Sequence, residues 1–540
     1  MLLLGARVLY ACNMRLNSDE TQHLHVVWAW ANGWPEVLAV FDNHTPLFHL
    51  LCAPIFRLFG ETPMIIVYMR LVMILCVVGA LWFTMKIGES LFSWRVGLWA
   101  AIFTGFMPYF FLKTVEFRTD DLWTAVWLGT VALAVGGPLT VRRMFCVGLA
   151  LGTAFGVSMK TTLLAMALLL AALVVAVLWR WAGGELRVRV VSGGVAAGLA
   201  GLLVVPGAIV AYYAAHHALD LLYARAIGHN LLPATAKSSH MATRLFWFPI
   251  ALPLLICAGR AIFLRTTDRI SAARRSFVLL TACFFLALLH SYWPMITSQD
   301  YPPIIPLFIV LLTPTVLALS RRWGWLPRLT LPLALVVLEV ADTVRLIKPH
   351  PRLGGDLEYL GNVLHFTDPS DYVMDAKSGA IYRRRPFYYA LENVTRARMD
   401  MHLIKDDIVE RLIITSTCLA ADDRLKDRDL AFVQANYLPF DHKMRIAGQY
   451  LHPDAASGRA TFQIAIAARY AIITPGGPAM GTLDGQPYSG DIFLDAGPHE
   501  FVCADPHQPH LLVWAQALER GFRPKFSPEP EDASAKQSRD

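Results

Sequence analysis

Long apolar segments that alternate with short polar loops dominate the sequence. A helix needs about 20 apolar residues to cross the hydrocarbon core of a bilayer. Segments that approach or exceed this length are approximately 64–86, 94–112, 121–138, 144–159, 161–181, 190–214, 245–265, 276–294, 302–320 and 329–347. Only 16% of the residues are charged and 55% are hydrophobic, whereas soluble proteins carry about 25% charged residues. So many long segments exclude a soluble helical core.

A shorter apolar segment, MLLLGARVLYACN, precedes the others. Arg7 interrupts it and no small-residue cleavage site follows, so we expect the outer part of a first transmembrane helix rather than a signal peptide. The complete pattern predicts a mainly α-helical, polytopic transmembrane bundle of about 11 spans.

Positively charged residues are concentrated in every second loop, and this alternation predicts the orientation of the chain. Loops rich in Lys and Arg face the cytoplasm. They are 86–95, 142–143, 180–189, 265–275 and 321–328. The remaining loops are then extracytoplasmic: 14–62, 113–120, the turn near Lys160, 215–244, 295–301 and the region after about 348. Because the basic residues are dispersed and form no groove-reading motif, the net charge of +7 does not indicate a nucleic-acid partner.

An acidic pair opens the first outer loop, in the stretch NSDETQH. A helix with Ser18 as N-cap would place Asp19 and Glu20 within one turn of His23. These side chains are suited to a general base or to metal binding, although the solvated start of an interfacial helix explains the same spacing. The sequence leaves a cofactor open; for a divalent cation, Asp19 and His23 are the ligands that it suggests.

Further polar side chains lie in the other outer loops. Asp42 and His44 precede the second span, and Arg118, Asp120 and Asp121 crowd a short turn after the third. The planar guanidinium of Arg118 is suited to a phosphate or a carboxylate. Additional candidates for substrate binding are Lys160, Arg225, Asp300 and Tyr301. For Lys160, a cation anchored at the membrane surface is the alternative interpretation.

The composition becomes mixed and polar from residue 348, which predicts an extracytoplasmic domain over 348–522. DYVMDAKSGAIY, RLIITSTC and LAFVQANYL favour strands among helices. Three later stretches favour β-hairpins, with Asp484-Gly485 as a turn: ATFQIAIAARYAIIT, GTLDGQPYSG and DIFLDAGPHEFVCA. The domain is therefore expected to be α/β with β-hairpins. Cys418 and Cys503 either pair as a disulfide or are two unrelated thiols. The tail, 523–540, is poor in hydrophobic residues and is expected to be disordered.

The combination of these motifs resembles the GT-C superfamily of polyprenyl-phosphate-sugar glycosyltransferases over residues 1–347. The resemblance is strongest to bacterial relatives of the protein O-mannosyltransferases and of the lipid A aminoarabinose transferases. It lies in the Asp-Glu pair, the HTPL segment, the arginine–acid cluster after the third span and the lysine after the fifth. The aminoarabinose transferases have Lys-Pro-Pro-Leu where this chain has His44-Thr45-Pro46-Leu47, so their donor specificity does not carry over.

The resemblance implies an enzyme of a bacterial inner membrane that transfers a sugar at the extracytoplasmic face. The donor would be a polyprenyl-phosphate-linked sugar, and the acceptor a hydroxyl or phosphate of a glycan, lipid or protein. Asp19 would correspond to the catalytic base, with Glu20 beside it, and Asp120 or Asp121 to the second acidic position. Alternatives are a transporter or flippase, a ligase of lipid-linked glycans, or a scaffold that presents the C-terminal domain.

Overall fold

The structure is a computed structural model that describes residues 2–181, 188–231, 268–293, 296–322, 329–347, 353–441 and 444–526. The chain divides into two compact units. The first, called the helical unit, comprises Met1–His23, Asp42–Ile55 and Met64–Leu353. The second, called the mixed unit, comprises Leu24–Phe41, Phe56–Pro63 and Gly354–Asp540. The predicted span 245–265 and residues 527–540 of the predicted tail lie outside the described residues.

The first outer loop is helical and contributes to both units. Its helices are α2 (Ser18–Asn32), α3 (Trp34–Ala39) and α4 (Leu47–Phe59), and they follow α1 (Leu2–Asn13). Pro35 lies in the first turn of α3, where the missing N–H of a proline costs nothing.

The remaining helices of the helical unit follow the apolar segments of the sequence. They are α5 (Ile65–Leu91), α6 (Trp94–Phe106), α7 (Pro108–Lys113), α8 (Thr119–Val135), α9 (Val141–Val157), α10 (Thr161–Trp181), α11 (Val188–Ala215), α12 (Leu219–Tyr223), α13 (His229–Leu231), α14 (Arg269–Tyr292), α15 (Ile305–Arg322) and α16 (Thr330–Leu346). A π-helical turn, Ala224–Gly228, joins α12 to α13, and a 3₁₀ turn, Ser298–Asp300, precedes α15.

The predicted class, mainly α with a C-terminal sheet domain, is confirmed. Within the described ranges, five helices are long and apolar enough to cross a membrane: Ile65–Leu91, Thr161–Trp181, Val191–Ala215, Arg269–Tyr292 and Ile305–Arg322. The number of about 11 spans therefore remains a prediction. The segment 94–112 is two helices rather than one, because Pro108 interrupts the hydrogen-bond ladder and begins α7 at its first position.

Glycines allow α9 and α11 to approach closely. A Cβ atom on Gly148 would lie 1.9 Å from the carbonyl oxygen of Gly198, and one on Gly201 would lie 2.2 Å from that of Phe145. Small residues favour helix packing in membranes because van der Waals contact between backbones replaces the hydrophobic driving force.

The mixed unit contains two sheets. Their strands are β1 (Val373–Met374), β2 (Leu419–Ala421), β3 (Tyr437–Pro439), β4 (Met444–Leu451), β5 (Arg459–Ile464), β6 (Ala468–Thr474), β7 (Gly477–Pro478), β8 (Gly481–Leu483), β9 (Gln486–Tyr488), β10 (Ile492–Leu494), β11 (Gly497–Cys503) and β12 (His510–Trp514). One sheet has the order β1-β2-β4-β12-β6-β10, with β3 on β4 and β7 on β6; the other has the order β5-β11-β8-β9. Only the β1–β2 pair is parallel among the paired strands of the described chain.

The helices of the mixed unit are α17 (Gly354–Phe366), α18 (Asn393–Asp400), α19 (Ile408–Ile414), α20 (Asp427–Asn436) and α21 (Ala515–Glu519). Two predicted strands are wrong, because RLIITSTC begins within α19 and LAFVQANYL is mostly α20. In RLIITSTC, an ion pair of helical spacing supports the helix: Arg411 binds Asp407, four residues earlier, at 3.1 Å.

The predicted hairpin in GTLDGQPYSG is confirmed. Asp484 and Gly485 have φ of 51° and 78°, as a two-residue turn between β8 and β9 requires. The other two predicted hairpins are wrong, because β5 pairs with β11 and β6 pairs with β12, β10 and β7. Cys418 and Cys503 are both buried free thiols.

Segments of the predicted first outer loop pack on the C-terminal part of the mixed unit through partly buried polar contacts. The guanidinium of Arg383 donates to both carboxylate oxygens of Glu61 at 3.0 Å. Arg384 forms an ion pair with Glu36, and the hydroxyl of Tyr382 donates to the carbonyl oxygen of Thr62 at 2.8 Å. The mixed unit is therefore not formed by the C-terminal third of the chain alone.

The close approach of α9 and α11 predicts the effect of one added methyl group. Gly201→Ala should destabilise the helical unit by about 1–3 kcal/mol, because the new Cβ would overlap backbone atoms. Gly207→Ala in the same helix is the matched control, since no atom lies within 4 Å of its Cβ position. Thermal unfolding in lipid nanodiscs measures both, and equal midpoints for the two variants would contradict the packing argument.

Candidate active site

Arg118 connects carboxylates from two separate parts of the helical unit. Its Nη1 atom forms an ion pair with Asp19, and its Nε donates to Asp120 Oδ2 at 3.2 Å. Glu116 lies 3.9 Å from the same Nη1. The Arg118 side chain is only 10% exposed, so the guanidinium meets these anions largely without competing water.

The local sequence explains why these charges meet. Asp19 and Glu20 lie in the first turn of α2, and Asp120 and Asp121 lie in the first turn of α8. Carboxylates are favoured at these positions by the unpaired N–H groups and the positive end of the helix dipole. Arg118 occupies the N-cap position of α8 in an extended conformation, between the two helix starts.

The N-cap of α2 is Asn17 rather than the predicted Ser18. Asn17 Oδ1 accepts the Asp19 N–H at 3.1 Å, and the Asn17 N–H donates to Glu20 Oε2 at 2.9 Å. The first bond caps the helix through its second N–H, and the second bond is the one that the N3 glutamate makes in a capping box. It fixes the backbone that carries Asp19.

Lys160 extends the charge network to the start of a late helix. Its Nζ lies 3.4 Å from Asp120 Oδ1 and 2.5 Å from Asp300 Oδ1. Asp300 is fully buried and also accepts the Thr297 N–H at 2.6 Å. Ion pairs thus join Asp19, Arg118, Asp120, Lys160 and Asp300 in one continuous cluster, which we call the charge cluster.

The charges around Arg118 favour the protonated form of its guanidinium. Burial opposes the charge of Arg118, but Asp120 and Asp19 outweigh it and raise the pKa of the guanidinium above its usual value. Burial raises the pKa of Glu116, although Lys113 and Arg118 oppose this shift. Glu116 also accepts a hydrogen bond from Asn17 Nδ2 at 2.9 Å, which links the turn to the start of α2.

Solvent exposure separates the acidic candidates. The Asp19 side chain is 35% exposed, whereas the Asp120 side chain is 6% exposed and Glu20 is fully buried. Among the carboxylates of the charge cluster, Asp19 is therefore the one that an incoming group can reach.

Glu20 belongs to a different ion pair. Its two oxygens accept from Arg70 Nε and Nη2 at 2.7 and 2.6 Å, and Glu20 Oε1 also accepts the Phe117 N–H at 2.8 Å. Arg70 further donates to the carbonyl oxygens of Ala11, Met14 and Arg15. The Glu20–Arg70 pair therefore holds α1, α2 and α5 together.

A second cluster is built from rings of the first outer loop. His23 Nδ1 lies 3.0 Å from His49 Nε2, and Asp42 lies 3.2 Å from ring nitrogens of both His44 and His49. Burial, His44, His49 and Arg118 lower the pKa of His23 well below its usual value, while Asp19 opposes this shift. Burial would raise the pKa of Asp42, but the neighbouring histidines outweigh it and lower that pKa well below the usual range. We call these four side chains the histidine cluster.

Three other predicted residues lie at the start of α8, in the π-helical turn and just before α15. Asp121 is buried at the start of α8, and its Oδ2 atom accepts no hydrogen bond from the described part of the chain. Arg225 is buried in the π-helical turn and bonds to Tyr213 of α11. The Tyr301 hydroxyl lies 3.2 Å from His290 Nε2.

Metal binding remains a prediction. In the described ranges, no group of three or more His, Cys, Asp and Glu side chains has the arrangement of a metal site. The proposed ligand Asp19 instead binds the Arg118 guanidinium.

Sequence reasoning did not identify Arg70. An arginine within the apolar stretch VYMRLVMIL is the signal that could have found it, because an ionisable group in a spanning helix needs a buried partner. The sequence presents His49 only as a polar side chain before the second span, and its place in the histidine cluster follows from the turn that precedes α4.

The fold and the site define a multi-pass membrane protein whose charged site is built at the starts of two helices. Residues 43–209 match a family model described as dolichyl-phosphate-mannose-protein mannosyltransferase. No curated protein matches the chain significantly in sequence.

Two solved structures of ArnT from Cupriavidus metallidurans are similar in fold. The structure bound to undecaprenyl phosphate has a TM-score of 0.53 at 13% identity, and the apo structure has a TM-score of 0.55 at 14% identity. Each match covers 83% of this chain and 97% of that chain. A more distant match, with a TM-score of 0.42 and 11% identity, is the apo Archaeoglobus fulgidus oligosaccharyltransferase; it covers 88% of this chain and 73% of that chain.

The family match and the shared fold indicate a glycosyltransferase and support membership of the GT-C superfamily, as the sequence motifs predicted.

The contacts of Glu20 predict a structural rather than a chemical defect when it is changed. Glu20→Gln should destabilise the helical unit by about 3–5 kcal/mol, because it leaves the Arg70 charge buried and incompletely paired. The double variant Glu20→Gln/Arg70→Gln should lose less stability than the two single losses added together.

Asp19→Asn, one residue away and partly exposed, is the matched control and should change the unfolding midpoint little. Thermal unfolding of purified protein distinguishes the variants. If Glu20→Gln retains the wild-type midpoint and loses activity, Glu20 has a chemical role instead.

Proposed function

We propose that the protein transfers a sugar from a polyprenyl-phosphate-linked donor to a hydroxyl or phosphate acceptor at the extracytoplasmic face of a bacterial inner membrane. The observation that carries this proposal is a partly exposed carboxylate, Asp19, held by a buried cation, Arg118. The family match to a lipid-phosphate-sugar transferase and the ArnT structure bound to undecaprenyl phosphate support the class of donor.

In the proposed reaction, Asp19 is the general base. The acceptor oxygen attacks the anomeric carbon while Asp19 takes its proton, and the bond from that carbon to the phosphate oxygen breaks. The leaving polyprenyl phosphate keeps the electron pair, and the configuration at the anomeric carbon inverts. A carboxylate with an ordinary pKa is a weak base, so correct placement must supply much of the effect.

Two cations of the charge cluster are suited to the phosphate. Arg118 and Lys160 are both held by carboxylates, at Asp120 on α8 and at Asp300 before α15. Fixed cations stabilise charge that develops on a leaving group without having to reorganise. A planar guanidinium also binds phosphate by two parallel bonds, so the donor would compete with Asp19 for Arg118. That competition would release Asp19 to accept a proton only when donor is present.

Other candidates take supporting roles in this proposal. Asp120 positions Arg118 and Lys160, because its two oxygens contact both. Arg225, Tyr301, His44 and Asp121 remain proposed contacts for the substrate or the lipid. Arg118 supplies positive charge at Asp19, the residue that the sequence suggests as a ligand of a divalent cation.

The central prediction concerns Asp19. Asp19→Asn should lower transfer by about 10²–10⁴-fold, because the amide cannot accept the acceptor proton, while expression and thermal stability are kept. Mass spectrometry of lipids and surface glycans compares a deletion strain, the complemented strain and the Asp19→Asn strain. The deletion and the variant should lose the same product.

Glu89→Gln is the matched control, because Glu89 is an exposed acid paired with Lys86 at the end of α5, away from the charge cluster. It should restore the product fully. A wild-type amount of product from Asp19→Asn would remove Asp19 as the base, and an unchanged glycan profile in the deletion strain would count against the transferase itself.

A second prediction concerns the shape of the Arg118 cation. Arg118→Lys keeps the positive charge but loses the fork that contacts Asp19 and Asp120 together. Transfer should fall by about 10²-fold, with the unfolding midpoint close to that of the wild type. Initial rates at saturating donor measure the effect, and full activity of the lysine variant would show that charge alone suffices.

A further inference from the structure

The histidine cluster is buried beside the charge cluster, and the proposed step does not use it. His23 is 2% exposed, His49 is fully buried and Asp42 is 2% exposed. His23 lies on α2, one helical turn after Asp19, whereas Asp42 and His49 lie on either side of the start of α4. Three side chains from two segments thus form a line from Asp42 through His49 to His23.

The carboxylate determines where the His49 proton lies. Asp42 Oδ2 is 3.2 Å from His49 Nδ1. The contact is not aligned as an ideal hydrogen bond. An unprotonated Nδ1 would nevertheless place its lone pair beside the negative carboxylate, and the two would repel each other. The proton therefore lies on Nδ1, and Nε2 of the neutral ring carries a lone pair.

His49 then determines where the His23 proton lies. His49 Nε2 is 3.0 Å from His23 Nδ1, and a bond between two ring nitrogens needs one donor. Because His49 Nε2 is the acceptor, His23 Nδ1 is the donor. The lone pair of His23 is consequently on Nε2, and no hydrogen bond from the described residues reaches that atom.

A doubly protonated His49 would donate from Nε2 and reverse this order, and burial of the whole ring opposes such a charge. His44 Nδ1 lies 3.2 Å from the other oxygen of Asp42, and the His44 side chain is 27% exposed whereas that of His49 is fully buried. Desolvation penalises a charged imidazole most where the ring is fully buried, and we take His49 as neutral for this reason.

We propose that Asp42 and His49 fix the tautomer of His23 so that His23 Nε2 accepts a hydrogen bond from a hydroxyl group of the substrate. This inference rests on the proposed function, since it assigns a sugar-transfer substrate to the same site. His23 is the binding residue; Asp42 and His49 are positioning residues that act through it. A site with a fixed acceptor selects a hydroxyl over a deoxy or acylated position, because the analogue would leave the lone pair unpaired.

Asp42→Asn should reverse the whole line of hydrogen bonds. The His44 backbone N–H donates to Asp42 Oδ1 at 2.9 Å, so the amide oxygen of the variant stays at that position. Its NH₂ group then faces His49 Nδ1 as a donor, His49 becomes protonated on Nε2, and His23 becomes protonated on Nε2. The acceptor that faces the substrate is replaced by a donor, although the shape of the site is unchanged.

The tautomers are measured directly by ¹⁵N NMR of histidine-labelled protein in lipid nanodiscs, with the His23 signals assigned from the spectrum of His23→Gln. We expect His23 to be protonated on Nδ1 in the wild type and on Nε2 in Asp42→Asn. This measurement needs no substrate, so a failure of the proposed function does not affect it. Protonation of wild-type His23 on Nε2, or a doubly protonated His49, overturns the inference.

A matched pair of variants tests the role of the lone pair. His23→Gln places an amide oxygen near the former Nε2 position, whereas His23→Asn reaches only as far as Nδ1. We expect binding or KM to weaken by about tenfold in His23→Asn, the loss of one hydrogen bond, and to stay near the wild type in His23→Gln. Equal behaviour of the two variants, at equal unfolding midpoints, would overturn the assignment.

Two arms of the assay identify the source of the hydroxyl. Equilibrium binding of undecaprenyl phosphate and of mannosyl-phosphoryl-undecaprenol tests the donor, since only the second carries sugar hydroxyls. A tenfold loss for the second lipid alone assigns the hydroxyl to the donor sugar. A tenfold rise in the acceptor KM, with both lipids bound normally, assigns it to the acceptor. Wild-type values for His23→Asn in both arms would contradict the proposal.

A double-variant cycle separates tautomer control from simple packing. In the wild-type background, Asp42→Asn should weaken the same parameter by about tenfold. In the His23→Gln background it should have almost no further effect, because the glutamine acceptor does not depend on His49. An equal loss in both backgrounds would mean that Asp42 only supports the fold.

Discussion

The ion pair between Arg118 and the carboxylates around it is the interaction on which the site depends. Asp19 and Asp120 come from the starts of two helices, and a single buried guanidinium holds both. Without that cation, two helix N-termini would present like charges to each other in a poorly solvated space. Removing the guanidinium would leave buried carboxylates without a counter-charge, whereas loss of the partly exposed Asp19 carboxylate leaves Arg118 paired with Asp120.

Neighbouring residues of the first outer loop have different physical roles. Asp19 is partly exposed and is held by one cation, whereas Glu20 is buried and saturated by Arg70 and backbone donors. The two adjacent carboxylates point in different directions from the first turn of α2, because successive helical residues are about 100° apart. This division supports Asp19 as the base and gives Glu20 the task of fixing the helix start.

In the proposed function, helix α2 carries both the catalytic base and the residue that binds the substrate hydroxyl. Its first turn carries a charged group, and its second turn carries His23, a neutral ring fixed by neighbouring polar groups. A charged group responds to developing charge, while a neutral acceptor with a fixed tautomer recognises a hydroxyl. Both roles need a fixed backbone at the start of α2. The hydrogen bonds of Asn17 with Asp19 and Glu20 fix it.

The sequence by itself determined the helical segments, the acidic pair, the arginine–acid turn and the hairpin at Asp484-Gly485, because hydropathy, capping preference and turn chemistry are local properties. Local patterns failed at RLIITSTC, where apolar residues suit a short helix as well as a strand. Only the tertiary structure decided that Glu20 binds Arg70 and that Asp19 shares Arg118 with Asp120. Glu20 and Arg70 are 50 residues apart and Asp19 and Arg118 are 99 residues apart, so the packing of whole helices, rather than any local pattern, brings each pair within hydrogen-bond distance.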